Sequence, residues 1–450
     1  MPHVALVAMS GFRVVDEELL SIGITLPGLS ARSEAIAELP SLGLLTLAAM
    51  TPDPWTISYH LAANGNDEVL SEILGSRPRL VVFSALTASV NTAYSISQRL
   101  RALGILTALG GLHATACPDE AMHFVDAVCV GDGEPIWNEL LTDAENGQLK
   151  RRYQARAWSF PESAIIPRWD LIGPGRLARY TIQTQRGCPL ACSFCAASRL
   201  LGPFREKPAT ALREELAAIV GHAGPKRPLI EFSDDNTFAG KRLLEDFWEV
   251  LTESGVQFFT ESDWRIGERP EIYHHLRAAG CYQVLIGIES LVFRYPGMGE
   301  KQAELDRILD SVRRLQENGV AVNGCFIVGG EGESRDSMER LADFLESSPF
   351  ADIQVTLQTP YPGTSLYRQL LREGRILSPP RDWTAYTLFD VTYRPDSLTP
   401  EDLRRGFLGL IQRVYRPDAT LRRQRIRREI DRSARRNAAD QVRGSLNVPG

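Results

Sequence analysis

The chain has 450 residues, 44% hydrophobic and 24% charged, the make-up of an ordinary soluble protein with two or three domains. A net charge of −6 gives no global case for nucleic-acid binding, no apolar run approaches the ~20 residues of a membrane helix, and the N-terminus lacks the basic start of a signal peptide. Seven cysteines, three of them between positions 188 and 195, make a poor disulfide framework and suit a reducing compartment, so a cytoplasmic location is expected.

Residues 1–147 alternate strand-like and helix-like segments. VALVAM (4–9) has the length of a buried strand, PSLGLLTLAAM (40–50) has helical spacing, and WTISYHLA (55–62) is a second strand. RPRLVVFSAL (77–86) is dense in β-formers and a helix follows it, while ILTALGGLH (105–113) and VDAVCVGDGE (125–134) each run into glycine-rich turns. Alternation of this kind predicts a parallel α/β sheet, in which ligands bind beyond the carboxyl ends of the strands. Ser84–Thr87, Gly110–Gly111 and Gly131–Glu134 lie at such ends, so a Rossmann-like ligand-binding domain is expected here.

Residues 148–178 read as an irregular, proline-containing connector. The pattern then restarts at YTIQTQRGC (180–188) and repeats at PLIEFSDDN (228–236), VQFFTESDW (256–264), QVLIGIES (283–290), AVNGCFIVGG (321–330) and DIQVTLQTPYPG (352–363). Six βα-like units predict a partial (β/α)6 barrel over 179–370, with its chemistry at the C-terminal ends of the strands. Residues 371–450 are expected to be a small, mostly helical region. Its arginine-rich tail from Arg416 reads as a solvated or frayed helix, with contact to an acidic partner or nucleic acid as the alternative.

Cys188, Cys192 and Cys195 form C-x3-C-x2-C. Three thiolates on a short loop can hold three irons of a [4Fe–4S] cube and leave the fourth free for the amino and carboxylate groups of S-adenosylmethionine (SAM); ferredoxin-type clusters use four cysteines. The alternatives are incidental buried cysteines or a zinc knuckle, which wants four ligands where the neighbouring sequence supplies no histidine. Phe194 is placed to shield the cluster and pack on the adenine. The remaining cysteines, Cys117, Cys129, Cys281 and Cys325, read as small hydrophobes.

The motif and the strand pattern after it resemble the radical SAM superfamily, and further stretches resemble its cobalamin-binding members. These are RLLGPFREKPATALREEL (199–216, with Arg205 at a characteristic basic position), EFSDDNTF (231–238), AAGCYQVLIGIES (278–290), FIVGGEGES (326–334) and TPYPGTSLY (359–367). The likeness covers roughly residues 1–415. It implies SAM contacts from Phe194, Ser233, Asp234, Asp235, Glu261, Glu289, Ser290 and Gly329, with Asp263 and Gly330 nearby. Ser233–Asn236 replaces the Gly-Gly-Glu of many relatives but keeps acceptors for an ammonium.

The N-terminal stretches VVFSALTAS (81–89), LGGLHATACPDEA (109–121) and VCVGDGEPIWNELL (128–141) are similar to the cobalamin-binding domain of that group. The similarity implies that Ser84, Thr87, Gly110, Gly111, Gly131 and Glu134 line the corrin pocket. The Asp-x-His-x-x-Gly motif that ligates cobalt in many cobalamin proteins is missing, and His60 lacks its neighbours, so His60 is expected to be structural. The first explanation is cobalamin bound without a histidine ligand; the second is a domain that has lost cobalamin. His113 is either near the corrin or a satisfied loop histidine.

What the resemblance implies is reductive cleavage of SAM to a 5′-deoxyadenosyl radical, hydrogen abstraction, and methylation of an unactivated carbon on a small-molecule or peptide substrate. The expected cofactors are a [4Fe–4S] cluster, SAM and cobalamin, with an external electron donor such as flavodoxin or ferredoxin. A cyclisation, rearrangement or oxidation without methyl transfer is the alternative outcome. A non-catalytic sensor using the arginine tail is a third.

Overall fold

The computed structural model describes residues 1–9, 14–25, 39–63, 65–155, 159–172, 179–240, 244–379 and 381–446. Residues 10–13 and 26–38, Asn64 near His60, and parts of the connector (156–158 and 173–178) lie outside the described residues.

Six strands build the N-terminal sheet: β1 (His3–Met9), β2 (Thr56–Ala62), β3 (Leu80–Ser84), β4 (Leu106–Gly110), β5 (Ala127–Val130) and β6 (Arg152–Gln154). Their order is β2-β1-β3-β4-β5-β6 and every pairing is parallel. Alternate residues feed two cores. Val7, Phe83 and Leu109 pack with the helix Val90–Ala102 on one face, while Leu6, Val82 and Ala108 pack with Leu42–Ala49 and Trp137–Glu145 on the other. A sheet covered on both faces needs apolar residues at every position, which is why VALVAM and LVVF read as unbroken runs. The strand order reverses between β1 and β3, the switch point where such sheets open a crevice. The stretch read as an irregular connector contributes β6, a polar three-residue edge strand too short to carry a periodic signal.

The second sheet begins at β7 (Tyr180–Ile182), shorter than the expected 180–188 because the chain turns into a hairpin, β8 (Gln185–Arg186) with β9 (Arg205–Glu206). It continues with β10 (Leu229–Phe232), β11 (Gln257–Ser262), β12 (Cys281–Glu289), β13 (Ala321–Val328) and β14 (Asp352–Leu357). The order β14-β13-β12-β11-β10-β7 is strictly sequential and parallel, the partial barrel expected. Ile230, Phe232, Phe258, Val284 and Phe326 face the surrounding helices, with Phe232 stacked on Phe258 at 4.4 Å. The alternate set, including Glu231, Glu261, Gln283 and Cys325, faces the lumen.

The C-terminal region ties the two halves together. Leu357 N donates to Leu388 O (2.7 Å) at the β14 edge, and Trp383 and Tyr386 insert into the core of the N-terminal domain. Trp383 Nε1 donates to Glu120 Oε1 (2.8 Å), which fixes these aromatics in that core. The arginine-rich tail is a helix, Pro417–Leu446, but it is docked, contrary to the solvated reading. Arg422 caps the carbonyls of Glu346, Ser347 and Ser348 at the end of the helix Arg335–Ser347. Arg427 reaches Gln283 Oε1 (2.6 Å), and Ile430 packs on Ala321 and Ala351.

Candidate active site

The cysteine loop is closed at its base by the β8–β9 hairpin. Ala191 N donates to Gly297 O (3.2 Å) and Ser193 N to Pro296 O (2.8 Å); from the other side Leu366 N donates to Ser193 O (2.9 Å). Gly297 is required where it stands: its φ is +85°, and a Cβ would fall 2.0 Å from Ala191 O. Cys192 is buried, while Cys188 and Cys195 are half-buried. Phe194 turns edge-on to Tyr295 (4.8 Å between rings) and packs with Met298 beside Cys192, so its ring supports the loop from below. Burial pushes the Cys192 thiol up to about 11; the Lys301 ammonium pulls it down and the Cys195 and Cys188 thiols push it further up. Among the described residues no three Cys, His, Asp or Glu side chains converge as they would on a single ion, which a zinc knuckle requires. Thiolates that each bind a different iron of a cube have no such requirement.

Behind this loop the strand ends supply a ring of carboxylates. Asp234 is buried and its oxygens are taken: they accept from Thr184 N (2.7 Å), Thr184 Oγ1 (2.5 Å), Gln185 N (3.1 Å) and Thr237 Oγ1 (2.8 Å). Asp234 therefore holds the chain leading into Cys188. Asp235 accepts from the Gly187 backbone, and its Oδ2 is buried with no hydrogen-bond partner in the protein. Burial and the neighbouring Asp234 push its carboxyl up to about 6. Glu289 sits at a register shift in β12 with φ +71°, outside the ordinary range for a non-glycine residue, and its carboxylate pairs with the buried Lys301. A Cβ at Gly287 would lie 2.3 Å from Glu289 Oε1 and 2.6 Å from Lys301 Nζ, so this pair lies directly over the Gly287 backbone. Sequence reasoning missed Lys301, which sits in the polar run GMGEKQ with nothing local to mark it.

Glu261 is open to the lumen but ringed by protein, and burial followed by the charges of Glu231, Asp235 and Glu289 pushes it up to about 8. The folded protein thus holds a proton there that the unfolded chain releases near the ordinary value of 4.5. Its contribution to stability is therefore present at low pH and lost as pH rises toward about 8. Glu261→Gln is expected to flatten the fall in melting temperature of the cofactor-free protein between about pH 5 and pH 8; an unchanged slope would show that Glu261 is ionised throughout.

Three implied SAM contacts are placed differently from one another. Ser233 is exposed at the cavity wall. The Ser290 hydroxyl accepts from Val292 N (3.1 Å) and Phe293 N (3.0 Å), shaping the turn after β12. Gly329 donates its N–H to Glu333 (3.1 Å) and accepts from Tyr393 OH, so it faces the C-terminal region. Asp263 caps the turn Trp264–Glu268 and pairs with Arg265 (2.8 Å) at the lumen rim.

Between the two sheets lies a cavity of about 480 Å³. Ser84, Gly110, Gly111, Gly131 and Glu134 line it from the N-terminal sheet; Gln183, Arg186, Lys207 and Ser233 line it from the barrel. Leu44, Leu47, Phe83 and Phe160 give it an apolar lining suited to a large flat ligand with polar edges. Thr87 is not on this wall: it is buried beside His113, whose ring packs against Trp383 (5.1 Å). No histidine is among the described lining residues. His60 lies on the β2 edge, bonded to Ser58 Oγ (2.9 Å), the structural role expected. A glycine-walled, apolar crevice beyond the carboxyl ends of β3, β4 and β5 fits a corrin held without a histidine ligand.

Two family models match the chain: the radical SAM superfamily over residues 182–345 and the B12 binding domain over residues 31–141. The protein is a cobalamin-binding radical SAM protein. The cofactors of this radical SAM protein are accordingly a [4Fe–4S] cluster, SAM and cobalamin. It is similar to the bacteriochlorophyllide d C-12(1)-methyltransferase of Chlorobaculum tepidum, with 26% identity over 76% of this chain and 76% of that one. It is also similar to the hopanoid C-2 methylase of Rhodopseudomonas palustris, with 25% identity over 87% of this chain and 74% of that one. Among solved structures, the cobalamin-dependent SAM radical enzyme OxsB with aqua-cobalamin bound superposes with a TM-score of 0.63 at 16% identity. That superposition covers 90% of this chain and 66% of OxsB, and shows a shared fold. No helix among the described residues is long and apolar enough to cross a membrane.

Proposed function

We propose that the protein is a cobalamin-dependent radical SAM C-methyltransferase acting on an unactivated carbon of a small molecule. The observation that carries this reading is the cavity between the sheets, whose one wall is the glycine-rich ends of β3–β5 and whose other wall is the barrel mouth beside the cysteine loop. Its placement sets a bound corrin and a bound SAM against one space, as delivery of a methyl group from the corrin to a substrate carbon would require. The bacteriochlorophyllide d C-12(1)-methyltransferase and the hopanoid C-2 methylase support the outcome, since both transfer methyl groups and they differ in substrate.

When bound, the cluster supplies an electron for cleavage of SAM and the corrin supplies the methyl group. The residues of the chain do the rest. Cys188, Cys192 and Cys195 hold the cluster. Asp235, with its unpartnered Oδ2, would accept from the SAM ammonium, and Glu289, fixed by Lys301, would meet the ribose. Glu261 extends this acidic rim. The docked C-terminal helix, through Arg427 on Gln283, shields the lumen at the start of β12. A low-potential flavodoxin or ferredoxin in the cytoplasm is the electron source.

The test is an anaerobic reaction of reconstituted protein with SAM, a low-potential reductant and candidate substrates. 5′-Deoxyadenosine together with a deuterated methyl group moved from SAM to product is the expected result. Absence of 5′-deoxyadenosine would refute SAM cleavage, and turnover to an unlabelled product would assign the chain to the non-methylating reactions.

A further inference from the structure

The base of the cysteine loop and the rim of the interdomain cavity are one ionic structure. Arg186 precedes Cys188 by two residues, and Arg205 follows Cys195 on the opposite strand of the closing hairpin. Both guanidiniums leave the barrel and enter the turn Gly131–Glu134 at the end of β5. Arg186 donates to Asp132 Oδ1 (2.7 Å) and Glu134 Oε1 (2.8 Å), and Arg205 donates to Asp132 Oδ2 (3.0 Å). Asp132 is thus shared: its Oδ1 accepts from Arg186 and, at 3.3 Å, from Arg205, and its Oδ2 accepts from Arg205. All four side chains are 14% exposed or less. Arg186 also stands over the Phe160 ring of the connector (5.4 Å), on the cavity wall. Glu134, the carboxylate implied for the corrin, is therefore committed to Arg186 at the base of the cluster loop.

Separating one partner of a buried ion pair leaves a charge uncompensated, so neither side of this bridge shifts alone. A ligand that fills the cavity orders the Gly131–Glu134 turn, and through Asp132 the turn orders both ends of the cysteine loop. We infer that Asp132, Arg186 and Arg205 are positioning residues that couple occupancy of the corrin cavity to assembly of the cluster loop. The inference rests on the reading of the cavity as the cobalamin site. By linkage the coupling acts equally in both directions: the cluster tightens the cavity as much as the cavity tightens the cluster.

The experiment measures the Kd of hydroxocobalamin, by visible absorption, on the full chain with its cluster reconstituted and on the same chain after chelation of iron. In the wild type, binding is expected to be about 5–150-fold tighter with the cluster present, the usual span of a coupling between sites. In Asp132→Asn, which keeps volume and removes the shared charge, the two values are expected to converge to within about twofold. Arg205→Lys, which keeps charge but loses the fixed fork, serves as a second variant where the first fails to fold and is expected to behave alike. Equal affinity for both wild-type forms, or a factor unchanged in both variants, overturns the coupling while leaving the cavity assignment intact. No binding to either wild-type form overturns the cavity assignment itself.

Discussion

Cys192→Ala is expected to leave a folded protein that retains no [4Fe–4S] signal after reconstitution and forms 5′-deoxyadenosine only at background. Cys192 is the most deeply buried of the triad and packs with Tyr295 and Met298, and its loss removes one of the three thiolates the cube needs. Cys188→Ala and Cys195→Ala are expected to match it. The informative contrast is Cys281→Ala, at a thiol that is fully buried in the barrel core and pushed up to about 12 by that burial. It should keep its iron and its activity and lose about 1 kcal/mol of stability, as a small cavity does. Iron and sulfide per chain, with electron paramagnetic resonance of the reduced protein, distinguish the two classes. Iron retained by Cys192→Ala would remove the triad as the ligand set.

The second large effect is expected at Lys301. Its ammonium is 11% exposed and is paired with a carboxylate that is 9% exposed. Lys301→Met leaves the Glu289 charge buried without a partner, which costs about 3–5 kcal/mol. Lys301→Met/Glu289→Gln removes both charges and is expected to recover most of that loss, since a matched polar pair can be deleted at little net cost. Urea midpoints of the three proteins measure it. A double variant as unstable as the single one would show that Lys301 stabilises through packing. The double variant should still bind SAM poorly, because it lacks the Glu289 carboxylate that Lys301 holds over the Gly287 backbone.

Much of the fold was legible because parallel strands covered on both faces leave an unbroken apolar signature, and the glycine-rich turns mark where they end. β6 escaped because Arg152–Gln154 is an edge strand with exposed ends that only its pairing with β5 defines. The tail misled for a related reason. Thirty helical residues dense in arginine look solvated in sequence, yet Arg422 and Arg427 find carbonyls and a glutamine that lie 74 to 144 positions away.

The site was legible in its residue types and less so in their roles. Recurrence of acids at strand ends located the lumen rim, but which acid is free depends on partners that only the tertiary structure brings. Asp234 and Asp235 are adjacent and chemically alike; one is saturated by Thr184, Gln185 and Thr237 while the other keeps an open oxygen. Glu134 belongs to the cavity wall as expected, yet its charge answers Arg186 across the domain boundary. Lys301 carries no periodic or motif signal, because the feature that defines it is a partner at position 289 across a loop.

The most direct measurement needs no knowledge of the substrate. Protein carrying cluster and cobalamin is incubated anaerobically with SAM bearing a deuterated methyl group and a low-potential reductant, and the corrin is then recovered and weighed by mass spectrometry. The arrangement of cavity and cysteine loop around one space predicts that the recovered corrin carries the deuterated methyl. Corrin recovered without label, from protein that still cleaves SAM to 5′-deoxyadenosine, would contradict methyl transfer through this cavity.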